Sequence, residues 1–162
     1  AMEKKALLAK TSYSLSALAT PFLFFAFLGK AYGDAPSSPC WFDLLFGGEK
    51  AEEALPGLRC LASYSPTPLA IALFSFLLLS SALGLWLFSS VLLRQHDSLL
   101  NKGLSLLHAF SLFVCFLLVC LSLPVYGVPG PLGSGSICLL VSLPLLISFD
   151  LTGILLSRKG RR

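Results

Sequence analysis

Four long apolar stretches constrain this chain more than any other feature of its sequence. A helix needs about 20 mostly apolar residues to cross a bilayer core that is roughly 30 Å thick. The predicted spans are residues 11–29, 69–93, 104–123 and 137–156. We therefore expect an all-α membrane protein, with four transmembrane helices in an up-down-up-down bundle that forms a single domain over residues 1–162.

The composition excludes several classes of protein. Hydrophobic residues make up 56% of the 162 positions and charged residues only 12%, whereas a soluble domain has about 25% charged residues. A soluble domain of this length could not bury so much apolar surface, which excludes a soluble enzyme and a disordered segment. The net charge of +4 does not indicate a nucleic-acid partner, because no basic cluster is interleaved with aromatic residues.

The distribution of basic residues predicts an orientation. Nine of the 12 lysines and arginines fall in the two terminal segments or in the 94–103 turn, and the other three fall in the 30–68 loop. The positive-inside rule then places both termini and the turn in the cytoplasm, and loops 30–68 and 124–136 outside or in the lumen. We expect a multi-pass protein of the plasma membrane or endoplasmic reticulum.

The first apolar stretch has an alternative interpretation as a cleaved secretory signal, since a lysine-containing start precedes it and small residues follow it. Its apolar part is about 18 residues, longer than a usual signal core. We therefore expect this stretch to be retained as a span.

The 30–68 loop contains two cysteines, Cys40 and Cys60, on the side of the membrane where disulfides form and persist. A bond between them would close a loop of about 20 residues and contribute around 3 kcal/mol in the chain-entropy model. We expect this disulfide. The alternatives are two unpaired thiols or a bond to Cys138, near the outer end of the fourth span.

The segment between these cysteines combines aromatic and acidic residues. Its first part is too apolar for a free loop and suits the membrane interface, where tryptophan is favourable. We interpret the segment either as a cap on the outer helix ends or as a recognition surface for a partner, and the two interpretations are compatible. The candidate recognition residues are Trp41, Phe42, Phe46, Glu49, Glu52 and Glu53.

Two ionisable residues fall inside the predicted spans, His108 in the third and Asp150 in the fourth. Each lies roughly 6–11 Å inside the cytoplasmic boundary at a rise of 1.5 Å per residue. Since consecutive spans are antiparallel, we expect Asp150 to pair with His108 or with serine or threonine hydroxyls. We interpret the pair as a polar contact that holds the helices together, and the alternative is a proton relay or a ligand contact.

No motif predicts a cofactor, a metal ion or a catalytic residue. The sequence has no clustered metal ligands, no glycine-rich phosphate loop and no serine in a Gly-x-Ser-x-Gly setting. Small residues at helical spacing, Ser12, Ser16 and Thr20 in the first span and Ser80 and Gly84 in the second, predict close helix packing. The packing is expected within the chain, with homo-oligomer contacts as the alternative.

The plan of four spans, inner termini and a larger first outer loop with Cys40 and Cys60 resembles the claudin and peripheral-myelin-protein-like tetraspan membrane proteins. Those families have a Gly-Leu-Trp followed by two cysteines in that loop. Here Trp41 follows Cys40, and Gly84-Leu85-Trp86 lies in the second span. The resemblance implies the four-helix fold and a disulfide role for Cys40 and Cys60.

These features predict a non-catalytic membrane protein that organises or regulates partner proteins. It would act in a junction or in adhesion, or as an accessory subunit of a channel, receptor or transporter. The outer loop would supply recognition, and the helix faces would bind membrane lipid or a membrane-protein partner. The alternative is a small membrane enzyme or proton-coupled transporter that uses Asp150 and His108, with a hydrated cavity at Asp150 in place of a dry helix contact.

Overall fold

Four long α-helices dominate the part of the chain that the structure describes. The structure is a computed structural model and describes residues 2–30, 40–42, 66–93, 99–121 and 133–158. The α-helices are α1 (Met2–Ala19), α2 (Pro66–Leu93), α3 (Leu99–Leu121) and α4 (Ser134–Arg158), and a 3₁₀ helix (Thr20–Leu28) continues α1. With the 3₁₀ helix counted as part of the first, all four segments are long and apolar enough to cross a membrane.

For the described residues this confirms the prediction of a helical chain with four helices long and apolar enough to span a membrane. The largest difference in boundaries is at the first span, where the helix begins at Met2 and the prediction began at Thr11. Lysine is a good helix former, and its long side chain reaches water from the end of a span. Lys4, Lys5 and Lys10 therefore extend α1 and do not end it.

The backbone changes from α to 3₁₀ geometry at Thr20, next to Pro21. Proline has no N–H group and fits the start of a helical segment, where that group would have no partner. Side chains three residues apart line up along a 3₁₀ helix. Accordingly, Leu23 and Ala26 are buried, whereas Phe22 and Phe25 are exposed.

Each helix packs most extensively against two of the other three, because α1 and α3 both have long contacts with α2 and α4. Two apolar clusters fill the interior between them, and polar side chains lie between the clusters. The larger cluster includes Leu73, Leu77, Leu112, Leu139 and Leu143. The smaller cluster consists of Ala9, Tyr13, Leu87, Val91 and Leu104.

The outer surface of the helices is apolar. Large hydrophobic side chains on every helix are half exposed or more, among them Phe22, Leu78, Phe110 and Val141. A soluble monomer rarely exposes contiguous apolar surface of this kind. Such a surface is suited to lipid tails.

Trp41 closes the end of the bundle where the 3₁₀ helix meets the start of α4. Its side chain is 1% exposed, its ring lies 6.0 Å from that of Phe27, and its indole N–H donates to Ser136 Oγ at 3.2 Å. An isolated antiparallel bridge between Lys30 and Cys40 holds the adjoining backbone. The predicted partner of Cys40, Cys60, lies outside the described residues, so the disulfide stays a prediction.

Glycines bring the 3₁₀ helix and α4 into close contact at this same end. A Cβ atom on Gly135 would lie 2.4 Å from the carbonyl oxygen of Ala26, and one on Gly29 would lie 2.7 Å from the Cα of Gly135. Real Cβ atoms essentially never approach backbone so closely. The two segments can therefore keep this distance only while both positions are glycine.

We predict that Gly135→Ala destabilises the bundle by about 1–3 kcal/mol, the usual cost of overpacking, because the new methyl group meets backbone that cannot rotate away. Thermal unfolding of the purified chain in detergent measures the effect. Gly103→Ala is the matched control, since a Cβ there meets nothing within 4 Å. Equal melting temperatures for the two variants would contradict the proposed contact.

Candidate functional site

His108 of α3 and Asp150 of α4 form a buried pair in the bundle interior. The imidazole Nδ1 lies 2.6 Å from the carboxylate Oδ2, and both side chains are 0% exposed. An unpaired charge at such a position would be strongly unfavourable. The structure thus brings together the two ionisable residues that the sequence singled out within the spans.

Two hydroxyls of the first span complete the surroundings of the imidazole. Thr20 Oγ1 lies 2.9 Å from His108 Nε2, and Ser16 Oγ lies 3.5 Å from Nδ1. Both are fully buried, and they are one helical turn apart, so they share a face of the helix. The small-residue stripe predicted to serve packing therefore also provides hydrogen-bonding groups for His108.

The contacts of Thr20 and Asp150 account for both nitrogens of the imidazole. A hydroxyl has a single hydrogen, and Thr20 Oγ1 donates to the carbonyl oxygen of Ser16 at 2.7 Å. With its hydrogen on that carbonyl, Thr20 Oγ1 is left as an acceptor for Nε2 of His108. The other ring nitrogen, Nδ1, shares a short hydrogen bond with Asp150 Oδ2.

The second helix contributes a close backbone approach. A Cβ on Gly84 would lie 3.3 Å from His108 Nε2 and 3.1 Å from the carbonyl oxygen of Ala17. Glycine thus lets α2 approach both α1 and the imidazole. All four helices meet at His108, which belongs to α3. The first span contacts it through hydroxyls, α4 through a carboxylate, and α2 through Gly84.

A stripe of polar side chains along α3 extends this network. Ser111 Oγ donates to the carbonyl oxygen of His108 and accepts from Ser80 Oγ of α2, both at 2.8 Å. About one turn before His108 on α3, Ser105 Oγ lies 3.5 Å from the carbonyl oxygen of Asp150. Near the start of α3, Asn101 accepts a hydrogen bond from Ser90 of α2.

Sequence reasoning missed this α3 stripe, although its spacing was visible. Asn101, Ser105, His108 and Ser111 recur at intervals of three or four residues, which places them on one face of a helix. We call the buried groups between the apolar clusters the polar layer. Its members are Ser16, Thr20, Ser80, Ser105, His108, Ser111 and Asp150.

The order of hydroxyl, imidazole and carboxylate from Thr20 to Asp150 is also that of a hydrolytic triad. In a triad the hydroxyl gives its proton to the imidazole, and substrate reaches the hydroxyl. Here the Thr20 hydrogen is directed to Ser16, and the Thr20 side chain is 0% exposed. This geometry favours a structural network.

Asp150 has one further polar atom whose position bears on its role. Its Oδ1 is buried, and no described residue donates a hydrogen bond to it. Ser148 and Thr152, its neighbours in sequence, are exposed and bond carbonyl oxygens of their own helix. These two hydroxyls therefore do not serve the carboxylate.

The predicted outer-loop residues fall into two groups. Trp41 is buried, and Phe42 is half-buried with its ring 5.7 Å from that of Phe27, so both pack on the bundle end. The remaining candidates lie outside the described residues: Phe46, Glu49, Glu52, Glu53 and Cys60. Among residues 2–30, 40–42, 66–93, 99–121 and 133–158, no group of three or more potential metal ligands occurs.

Comparisons with known proteins do not assign this arrangement to a family. A scan of protein-family models and searches of curated proteins and of solved structures gave no match. Function must therefore be inferred from the site itself.

We predict that the substitutions His108→Leu and Asp150→Val each destabilise the fold by about 3 kcal/mol, because each leaves a buried polar partner unpaired. The double variant removes both groups and should lose less stability than the sum of the single variants. Unfolding by denaturant in bicelles measures this coupling. Additive losses would contradict a direct pair.

The control for this cycle is Ser148→Ala on α4. Ser148 is exposed, and within the described ranges its hydroxyl bonds only the carbonyl oxygen of Pro144 in its own helix. Its removal should change stability by less than about 0.5 kcal/mol.

Proposed function

We propose that this chain is a non-catalytic membrane protein that organises or regulates partner proteins. The observation that supports the proposal is the complete burial of His108, Asp150, Ser16 and Thr20 among the four helices. A dry polar contact fixes helices relative to one another. A site for substrate or ions would need room beside these groups.

The proposal includes an up-down-up-down arrangement with both termini in the cytoplasm. The order of contacts supports it, because Ser80 of α2 meets Ser111 of α3, while the later Ser90 meets the earlier Asn101. Contacts between the first span and α4 have the same reversed order: Tyr13 with Gly153, and Gly29 with Gly135. The cytoplasmic side follows from the basic residues.

The partner is proposed to bind the 30–68 loop. Trp41 donates a hydrogen bond to Ser136 and packs against Phe27, so these contacts anchor the loop to the bundle at Trp41. The acidic residues Glu49, Glu52 and Glu53 would then be presented to a basic surface on the partner. A junction or adhesion role and an accessory-subunit role would both use such a loop.

One observation favours a second candidate, a membrane enzyme or proton-coupled transporter. Asp150 Oδ1 has no hydrogen-bond partner among the described residues, and the chain of groups from Thr20 through His108 to Asp150 could pass a proton. Proton flux into proteoliposomes that is lost in Asp150→Asn would support this candidate over the first.

The orientation can be tested by glycosylation mapping, because Asn-x-Ser/Thr acceptors are modified only on the outer side of the membrane. We predict that an acceptor inserted at residues 49–53 is glycosylated and that one inserted at residues 94–98 is not. A mobility shift that disappears on enzymatic deglycosylation reports the modification. The reversed pattern would invert the proposed topology.

The role of the loop can be tested by crosslinked co-purification from native membranes. We predict that combined Glu49→Gln, Glu52→Gln and Glu53→Gln lowers recovery of the specific partner by roughly ten-fold, since three exposed ion pairs at about 0.5 kcal/mol each sum to about 1.5 kcal/mol.

Glu3→Gln makes the same Glu-to-Gln change on the predicted cytoplasmic side, and it serves as the control that should leave recovery unchanged. If the triple variant recovers the same proteins in the same amounts as the unaltered chain, the loop is not the recognition surface.

A further inference from the structure

A groove lies on the outside of the bundle between α1 and α2, apart from the polar layer. It has a volume of about 400 Å³ and is lined by Leu15 and Leu18 of α1 and by Val91 and Leu92 of α2. Leu15, Leu18 and Leu92 are each about half exposed or more. This part of the groove is therefore apolar, and it is open on the side that faces away from the bundle.

One end of the groove is polar. Lys10, Thr11 and Ser14 line it there. Thr11 donates its hydroxyl hydrogen to the carbonyl oxygen of Leu7 at 2.8 Å, whereas Lys10 forms no ion pair within the described part of the chain. The Lys10 ammonium and the Ser14 hydroxyl are thus the donors available to a bound anion.

The polar end is at the membrane boundary if the helices span as proposed. Lys10 shares the groove with Val91 and Leu92, which belong to the last turn of α2, since that helix ends at Leu93. From Lys10 to Leu18 the groove runs about 12 Å along α1 at 1.5 Å per residue, toward the middle of the span. The groove thus has a cation at the membrane boundary and an apolar part toward the middle of the span. A phospholipid has its charged headgroup and its acyl chains in the same order.

We propose that this groove binds one anionic glycerophospholipid from the leaflet at the N-terminal end of the chain. Its phosphate accepts from Lys10 and Ser14, and one acyl chain lies along Leu15 and Leu18. Basic pockets between helices at this side of a membrane are suited to anionic headgroups. The proposal rests on the membrane insertion proposed above, and not on the partner-organising role.

A second copy of the chain fits the groove less well than a lipid does. Another copy would have to bring an acidic group to Lys10 at this depth, and Asp150, the acidic side chain described within the spans, is fully buried. Anionic lipid is already present in the leaflet and brings the charge and the apolar chain together.

Native mass spectrometry of the full chain in detergent tests the proposal. The probes are phosphatidylglycerol and phosphatidylcholine with identical acyl chains, titrated in competition. We expect the chain to retain one phosphatidylglycerol with about five-fold preference, the contribution of one lysine near a membrane surface. Lys10→Gln should abolish the preference.

Lys102→Gln is the charge-matched control, because Lys102 lies on α3 and does not line the groove. It should keep the preference. Equal losses in Lys10→Gln and Lys102→Gln would overturn the proposal in favour of diffuse surface charge.

A third variant, Leu15→Trp, fills the apolar part of the groove from an exposed position and should lower retention of both lipids. An unchanged melting temperature shows that the variant folds. Unchanged lipid retention would overturn the acyl-chain assignment, and loss of a dimer mass without loss of lipid would assign the groove to a second copy.

Inorganic phosphate at the concentration of the lipid separates a headgroup from a free anion. We expect no displacement of phosphatidylglycerol by phosphate, because the acyl chain supplies part of the binding. Displacement would overturn the lipid assignment. These masses are read on the isolated chain, so they are independent of whether the outer loop recruits a protein.

Discussion

The contact between His108 and Asp150 is the interaction on which the arrangement of the four helices depends. Inside an apolar bundle, each of these groups needs the other at one particular distance and orientation. The first span satisfies the far side of the imidazole through Thr20, and Gly84 lets the second helix approach. The hydrogen bond between the two groups offsets part of the cost of burying them.

Polar contacts have this importance because, within a membrane, apolar packing alone does little to fix the register of one helix against another. Lipid tails are as apolar as leucine, so helices gain no hydrophobic free energy by associating. A shift of one helix by a turn would still bury leucine against leucine. Such a shift would separate Asp150 from His108, Ser80 from Ser111 and Gly135 from its backbone contacts. These contacts select one helix register among many of similar packing energy.

Much of this architecture could be predicted from the sequence. The features that could not be predicted have a physical cause in common. Span number follows from hydropathy, and the meeting of His108 with Asp150 follows from their depth. The hydroxyl partners on α1 could not be selected, because serine is common in these helices and its small side chain serves packing equally well. The burial of Trp41 depends on Phe27 and Ser136, residues distant in sequence.

The 3₁₀ geometry of Thr20–Leu28 sets the reach of the first span. A 3₁₀ helix rises about 2.0 Å per residue, so these residues cover about 18 Å where an α-helix would cover about 13 Å. Together with the α-helical turns from Lys10 onward, the segment measures about 33 Å, close to the thickness of the hydrocarbon core. Conversion of the 3₁₀ segment to α would shorten the span by about 5 Å. The 3₁₀ winding therefore lets the first span reach across the hydrocarbon core with fewer residues than a continuous α-helix would need.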